Sequence, residues 1–473
     1  MSGITSIGAY IPQYRLPRKA FSEAWGSGGG LGERSVANHD EDTLTMAVNA
    51  AVDALGANGR DQIDAVHFAS TTAPYREKQS ATVVATAADL GTDIRAVDFA
   101  GSLRAGTSAL LAAFDAVNAG SASNVLVVAA DDRWGYPKSD HESTFGDAAA
   151  AVVVSKGAAA VEVVAQASIA NEITDVWRRA SDDFVRTWED RFVIQHGYDS
   201  TTKQAIRAVL DKAGLQPADI TKAVVYGPET RSHQALIRGA GFDPGAQAQD
   251  NLIATVGNTG AAHALLMLVA ALEEAKAGDK ILLASYGEGA DALVLEVKKK
   301  PKKGRAVSGH LAIKRTLPSY ERYLAYRGIV GVTPEAPLRV EPYAASTVAW
   351  RTRSQTLRFH GSKCNQCGTL HHPIQRICYN CQSKDDYTEV RLYDKPGTVF
   401  TFTRDNLAGG LEPPTVNCVV ESDEGNARIS CIMTDNEPLE GKVGARVEFT
   451  FRKIHEAGNY HNYYWKCRPI RSA

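Results

Sequence analysis

The chain has 473 residues, 44% of them apolar and 22% charged, which suffices for about three domains' worth of buried core. A formal net charge of -2 excludes a generally nucleic-acid-binding protein. No apolar run reaches membrane-spanning length and the first residues lack a basic-then-apolar leader, so a cytoplasmic chain without membrane contact is expected.

Residues 4–18 read as a strand and an irregular connection. Residues 40–55 predict a helix, because Leu44, Ala47, Val48 and Ala51 share one face behind an Asp or Thr cap. A buried strand at 63–69, a helix at 80–90 and a second buried strand at 94–99 follow. Residues 101–117, G-S-L-R-A-G-T-S-A-L-L-A-A-F-D-A-V, then read as a small-residue turn and a helix, with Leu110, Leu111 and Phe114 at helical spacing. A helix start placed there stabilises negative charge and would suit a low-pKa cysteine nucleophile. No cysteine is there. Strands are predicted at 125–130 and 148–154.

The same order then recurs. Residues 201–214 repeat the helix of 42–55, and D-I-T-K-A-V-V-Y-G (219–227) echoes D-Q-I-D-A-V-H-F-A (61–69). V-G-N-T-G-A-A-H-A-L-L-M-L-V-A-A-L (256–272) echoes the central helix, while 277–288 and 292–297 echo the two later strands. Two copies of one α/β plan imply a duplicated domain with a mixed or parallel sheet and a site between the halves, where equivalent helix starts meet. A last helix is predicted at 319–327, then a linker with Pro334, Pro337 and Pro342, then a polar helix at 344–358. Beyond 388, short β-rich runs alternate with Gly/Pro/Asp turns, the pattern of a small β-barrel.

All seven cysteines fall in the last quarter. Cys364 and Cys367, ten residues before Cys378 and Cys381, form two C-x-x-C knuckles whose four thiolates suit a structural tetrahedral Zn²⁺ site with no open position. Cys418, Cys431 and Cys467 read as buried strand residues.

Residues 38–48 (N-H-D-E-D-T-L-T-M-A-V), 73–81 (A-P-Y-R-E-K-Q-S-A), 104–110 (R-A-G-T-S-A-L), 146–151 (G-D-A-A-A-A), 256–260 (V-G-N-T-G) and 285–289 (S-Y-G-E-G) resemble the thiolase superfamily, bacterial and archaeal hydroxymethylglutaryl-CoA synthases in particular. The tail resembles the zinc-ribbon and OB-fold domain that accompanies acyl-CoA thiolases and aldolases. The implied fold class is α/β, a duplicated, layered αβαβα thiolase-like fold followed by a zinc ribbon and an OB-type barrel. The implied domains are 1–165 and 166–335 for the two halves, 336–388 for the linker helix and ribbon, and 389–473 for the barrel. Coenzyme A enters as part of an acyl-CoA substrate. A homodimer is expected, with a companion acyl-CoA enzyme as a further partner. Lys298 to Arg305 is either a solvated loop or a coenzyme A phosphate contact.

Carried over residue by residue, the synthase's glutamate falls at Thr71, its cysteine at Leu103 and its histidine at Gly227. Its asparagine is kept as Asn258. A leucine forms no thioester and a glycine moves no proton. The expected activity is therefore a cysteine-independent aldolase that cleaves a β-hydroxyacyl-CoA. Asn258 and backbone N–H groups near Gly106 would hold the enolate oxygen. Tyr286, Glu288, His233, His263 and Asp98 are the candidate bases, of which His263 also reads as a core histidine and His233 as a surface residue. Thr71, Tyr75, Ser102, Leu103, Gly106 and Gly227 are expected to line the substrate. Two alternatives stand beside it: a synthase- or thiolase-type acyltransferase using Ser102 or another nucleophile, and a non-catalytic acyl-CoA-binding partner.

Overall fold

A computed structural model describes residues 2–56, 59–157, 159–331, 345–407, 411–424, 427–437 and 439–471. The proline-rich linker lies outside the described residues. The contacts group the chain into two units, one of residues 1–37, 46–85 and 90–323, the other of 38–45, 86–89 and 324–473.

The first unit runs through β1 (Ser2–Tyr10), α1 (Thr43–Leu55), β2 (Ala65–Ala69), α2 (Ser80–Ala87), β3 (Arg95–Phe99), α3 (Ala105–Ala119), β4 (Asn124–Asp131) and β5 (Ala148–Lys156). The second half follows as β6 (Val161–Ala170), α4 (Ser200–Ala213), β7 (Lys222–Val225), α5 (Thr230–Gly239), α6 (His263–Glu274), β8 (Lys280–Tyr286) and β9 (Gly289–Val297). These strands join one sheet in the order β7-β8-β9-β6-β1-β5-β4-β2-β3. Its middle is the antiparallel pairing of β1 with β6, and the two sides mirror each other outward from it. Each side runs antiparallel through β5 and β4, or β9 and β8, and ends in parallel pairs. The repeat read from the sequence is this pseudo-symmetry.

Strands β4, β5 and β9, on either side of the middle pair, are apolar on both faces over most of their length, as a sheet covered on both sides requires. Helices α3 and α6 supply much of that cover and are buried along most of their length. Small residues at their starts let the backbones meet, since a side chain at Gly106 would press into the Ala261 carbonyl. The strand at 95–99 departs from expectation. It is the outer edge of the sheet, with Arg95, Val97 and Asp98 exposed. Apolar content alone did not separate an edge strand from a central one.

In the second unit, the helix Ser346–Thr356 precedes a three-stranded sheet with His360–Cys364 at its centre. Five strands, Gly397–Asp405, Thr415–Ser422, Arg428–Met433, Arg446–Ala457 and Tyr460–Pro469, then close into a barrel. The last strand was not apparent in the sequence because Lys466 and Arg468 interrupt its apolar pattern. Both are buried and paired, Lys466 Nζ 2.8 Å from Asp40 and Arg468 Nε 2.8 Å from Glu448. The fully buried Arg452 is shared by Asp40 (2.9 Å), Glu41 (2.9 Å) and Asp435 (2.5 Å). Burial alone would raise the Asp40 carboxyl, but Lys466 and Arg452 hold it well below the usual carboxylate range. The acidic N-H-D-E-D stretch is thus occupied structurally, because buried carboxylates persist only with such partners.

Candidate active site

Ligands of α/β sheets gather outside the carboxyl ends of strands, and here the ends of β4, β7 and β8 carry polar side chains into a buried setting. At the end of β4 the fully buried Asp131 is saturated. It accepts hydrogen bonds from the Ser70 hydroxyl (2.9 Å), the Thr71 N–H (2.7 Å) and hydroxyl (2.9 Å), the Thr72 hydroxyl (3.0 Å) and the Ala261 N–H (2.7 Å). Gly260, at φ +58°, lies against this carboxylate, and a Cβ there would collide with Asp131 and stand 2.6 Å from Arg133 Cδ. A glycine is therefore required on steric and backbone grounds alike.

Arg133 is 2% exposed, with its guanidinium carbon 4.2 Å from the centre of the Phe145 ring. Burial lowers its pKa, opposed by the charges of Tyr226, Asp131 and Asp175. Phe145 and Asn258 are bridged through their backbones, so the guanidinium and Asn258 belong to one neighbourhood. The Asn258 amide nitrogen donates to the Tyr226 hydroxyl at 2.9 Å, and its Oδ1 accepts from the Gly260 N–H at 3.0 Å. Tyr226, next after β7, is buried, and its oxygen receives Asn258 while keeping its own proton.

Tyr286 ends β8 with a buried hydroxyl that interacts with the Asp175 carboxyl. Burial, then the charges of Asp175 and Tyr226, push its pKa up. Asp175, on the irregular stretch after β6, is only partly exposed. Its carboxyl is raised to about 6, chiefly by desolvation, against the lowering effect of Arg133. His141 is held neutral at about 4 by burial and the Arg133 charge. The constellation thus joins a carboxylate titrating near neutrality, two phenols, an amide and a buried cation, a set suited to proton transfer beside a developing oxyanion.

Of the residues singled out in the sequence, Asn258, Tyr286 and Thr71 fall in this constellation. Glu288 is exposed, at φ +52°, within electrostatic reach of Asp175 and Tyr286. Leu103 is buried just ahead of α3, and Ser102 donates its hydroxyl to the Gly287 carbonyl at 2.9 Å. Gly106 makes the close approach of the two helix starts, and Tyr75 is half-buried in the loop before α2.

Three candidates need correction. His233 is buried rather than on the surface, and its Cβ would lie 2.5 Å from a Cβ at Gly227, so it packs where a side chain at 227 would begin. His263 is fully buried, its Nδ1 3.2 Å from the Thr259 nitrogen and hydroxyl, and burial lowers its pKa to about 4. It is a core histidine. Asp98 is exposed, and both its oxygens cap α2, accepting from the N–H groups of Ser80 (2.7 Å) and Ala81 (2.8 Å). The sequence reading missed Asp131, Arg133, Asp175 and Tyr226. D-D-R-W-G and V-V-Y-G, each following a predicted strand, were the available signals for three of them. Asp175 had none.

In the second unit the sulfur atoms of Cys364, Cys367, Cys378 and Cys381 all lie within 4.8 Å of one another, with 3.5 Å between Cys364 and Cys381 and between Cys367 and Cys378. Such a cluster could hold a metal ion. Cys418, Cys431 and Cys467 are buried in barrel strands, as expected.

The sheet, the paired central helices and the duplicated plan define a thiolase-type fold. It is shared with an HMG-CoA synthase solved with CoA (TM-score 0.64, 21% identity, 73% of this chain and 95% of that one). It is also shared with 3-oxoacyl-[acyl-carrier-protein] synthase III from Aquifex aeolicus (TM-score 0.55, 24% identity, 63% and 100%). Residues 210–297 match the family 3-oxoacyl-[acyl-carrier-protein (ACP)] synthase III C terminal. Hydroxymethylglutaryl-CoA synthase of Methanopyrus kandleri is 32% identical over 297 residues, 61% of this chain and 85% of that protein. The Pyrococcus horikoshii protein of that name is 31% identical over 336 residues, 69% and 93%. The chain belongs to the hydroxymethylglutaryl-CoA synthase family. No helix among the described residues is long and apolar enough to cross a membrane.

Proposed function

We propose that this chain makes or breaks a carbon–carbon bond on an acyl-CoA thioester without an acyl-enzyme. The observation that carries this is Leu103 at the head of α3, where the family resemblance puts the cysteine, alongside the kept Asn258 with its hydroxyl partner Tyr226. The relatives' names favour a condensing enzyme over the cleaving aldolase expected from the sequence. An aldol step runs both ways on one set of groups. In the cleavage direction, Asp175 takes the proton of the β-hydroxyl and the Cα–Cβ electron pair passes into the thioester as an enolate. A carbonyl compound leaves, and the enolate is reprotonated at Cα. Condensation reverses each step. The Tyr226 O–H and the Asn258 amide favour the enolate oxygen, and a carboxylate near pKa 6 suits proton transfer at neutral pH.

A Ser102 acyl-enzyme fits less well, since that hydroxyl is spent on the Gly287 carbonyl. An inert acyl-CoA-binding subunit, with a companion enzyme doing the chemistry, draws support from Thr71, Leu103 and Gly227 at the family's catalytic positions. The experiment is to mix the full chain with a panel of 3-hydroxyacyl-CoA thioesters and follow release of the shorter acyl-CoA, then run its re-condensation. Thioester binding without turnover in either direction supports the inert reading; turnover excludes it.

The four clustered thiols fit a structural Zn²⁺, since a tetrahedral thiolate site with bonds of about 2.3 Å places its sulfurs about 3.8 Å apart. The ion would tie the ribbon together. The open edge at β3 is where a homodimer would extend the sheet, and sedimentation velocity would read the mass. A cytoplasmic setting fits such a thiolate site.

A further inference from the structure

Asp175 lies on a stretch with no helix or strand of its own, so its direction is set by the side chains it meets. One of them is Tyr286, whose hydroxyl interacts with the Asp175 carboxyl. Burial and the charges of Asp175 and Tyr226 push the Tyr286 phenol up, so it keeps its proton and serves as a donor rather than a base.

The phenol is itself seated by an unusual piece of backbone. Between the short helix Asp190–Phe192 and α4, residues Val193–Asp199 wind as a π-helix. This wide winding is rare, occurs mostly as a single inserted turn and recurs at functional sites. Gly197 and Tyr198 are its buried residues nearest α4. A Cβ at Gly197 would stand 2.5 Å from the Tyr286 hydroxyl oxygen and 3.1 Å from Cδ1 of Ile173, two residues ahead of Asp175, so only bare backbone fits there. The Tyr198 ring meets Tyr286 edge-on, with centroids 5.6 Å apart and planes at 81°. The Tyr198 hydroxyl donates to the Tyr226 carbonyl at 2.8 Å. One turn thus packs against the Tyr286 ring, closes on its hydroxyl oxygen and ties to the backbone of the other phenol.

We infer that the π-helical turn at Gly197 and Tyr198 is the seat that holds Tyr286 against Asp175, and that Tyr286 orients this carboxylate to take the substrate proton. Gly197 and Tyr286 are positioning residues that act through Asp175. One carboxylate oxygen accepts from the phenol and the other is left for the β-hydroxyl. The inference rests on Asp175 as the base of the reading above.

Four full-length proteins test this: the parent, Gly197→Ala, Tyr286→Phe and the double variant, each followed in cleavage of 3-hydroxyacyl-CoA thioesters across pH. Tyr286→Phe should lower kcat about 10-fold with little change in KM. Its kcat/KM profile should shift to higher pH, since a carboxylate that loses a donor is harder to ionise. Arg133, Asp190 and Glu288, the other groups acting on Asp175, are unaltered in these variants. Gly197→Ala drives the phenol aside and should lower kcat about 10- to 100-fold with the same shift. The double variant should turn over no more slowly than Tyr286→Phe alone and unfold at higher denaturant than Gly197→Ala, because the new methyl enters space the hydroxyl vacates. Tyr286→Phe with the parent's kcat and pH profile overturns the inference, whether or not Gly197→Ala folds. So does a double variant whose losses multiply. No turnover by the parent on any thioester overturns the base assignment on which the inference rests.

Discussion

Replacing Asp175 by asparagine separates two consequences of one carboxylate. The Asp175 pKa stands at about 6 in the folded chain against 3.8 for an open aspartate, because burial penalises its charged form. Between those values the folded chain binds more protons than the unfolded one, so stability falls as pH rises through the window and stays lower above it. The full penalty at neutral pH is about 3 kcal/mol, and partial exposure screens it to about 1–2 kcal/mol. Asparagine removes the charge with nearly the same shape. Asp175→Asn should therefore be more stable than the parent by about 1–2 kcal/mol at about pH 7.5, and by only about a third of that at about pH 4.5. Denaturant unfolding at the two pH values reads the difference. The same variant should lose about 100-fold or more in turnover, and the parent's kcat/KM should rise with pH through an apparent pKa near 6. An Asp175→Asn protein with unchanged stability and unchanged turnover would refute both the buried charge and its role as base.

Tyr226→Phe keeps the ring and removes only the hydroxyl that meets Asn258. Its kcat should fall about 10- to 100-fold with little change in KM, as expected for a bond that strengthens in the transition state. Asp98→Ala removes the cap on α2 and should cost about 1 kcal/mol in unfolding experiments while leaving turnover unchanged. Elemental analysis should find one zinc per chain in the purified protein and none in Cys364→Ser. Thiol titration of the native protein should leave the four clustered cysteines unreactive until a chelator is added.

The duplicated plan was legible because it rests on periodicity and local chemistry. Small residues precede apolar ones at 101–117 and again at 256–272, and both stretches became helix starts packed together. The paired C-x-x-C knuckles and Asn258 were legible for the same reason: their meaning is fixed by a few adjacent residues. What escaped was set by distant neighbours. Arg133 matters because Gly260 makes room for it and Phe145 lies beneath it. Asp175 matters because a loop without periodicity brings it near Tyr286 and Arg133. The β3 strand reads as apolar in isolation, yet nothing in its own residues says that it ends the sheet. In the barrel, Lys466 and Arg468 broke the strand pattern because carboxylates elsewhere in the chain neutralise them.

Exchange of the α-protons of an acyl-CoA in heavy water, followed by NMR together with the intact mass of the protein, bears most directly on enolate chemistry without a covalent intermediate. Deuterium should enter Cα in the presence of the wild type, exchange should drop at least about 10-fold in Asn258→Ala, and the protein mass should stay that of the bare chain throughout. An acyl group bonded to the protein during turnover would contradict the account.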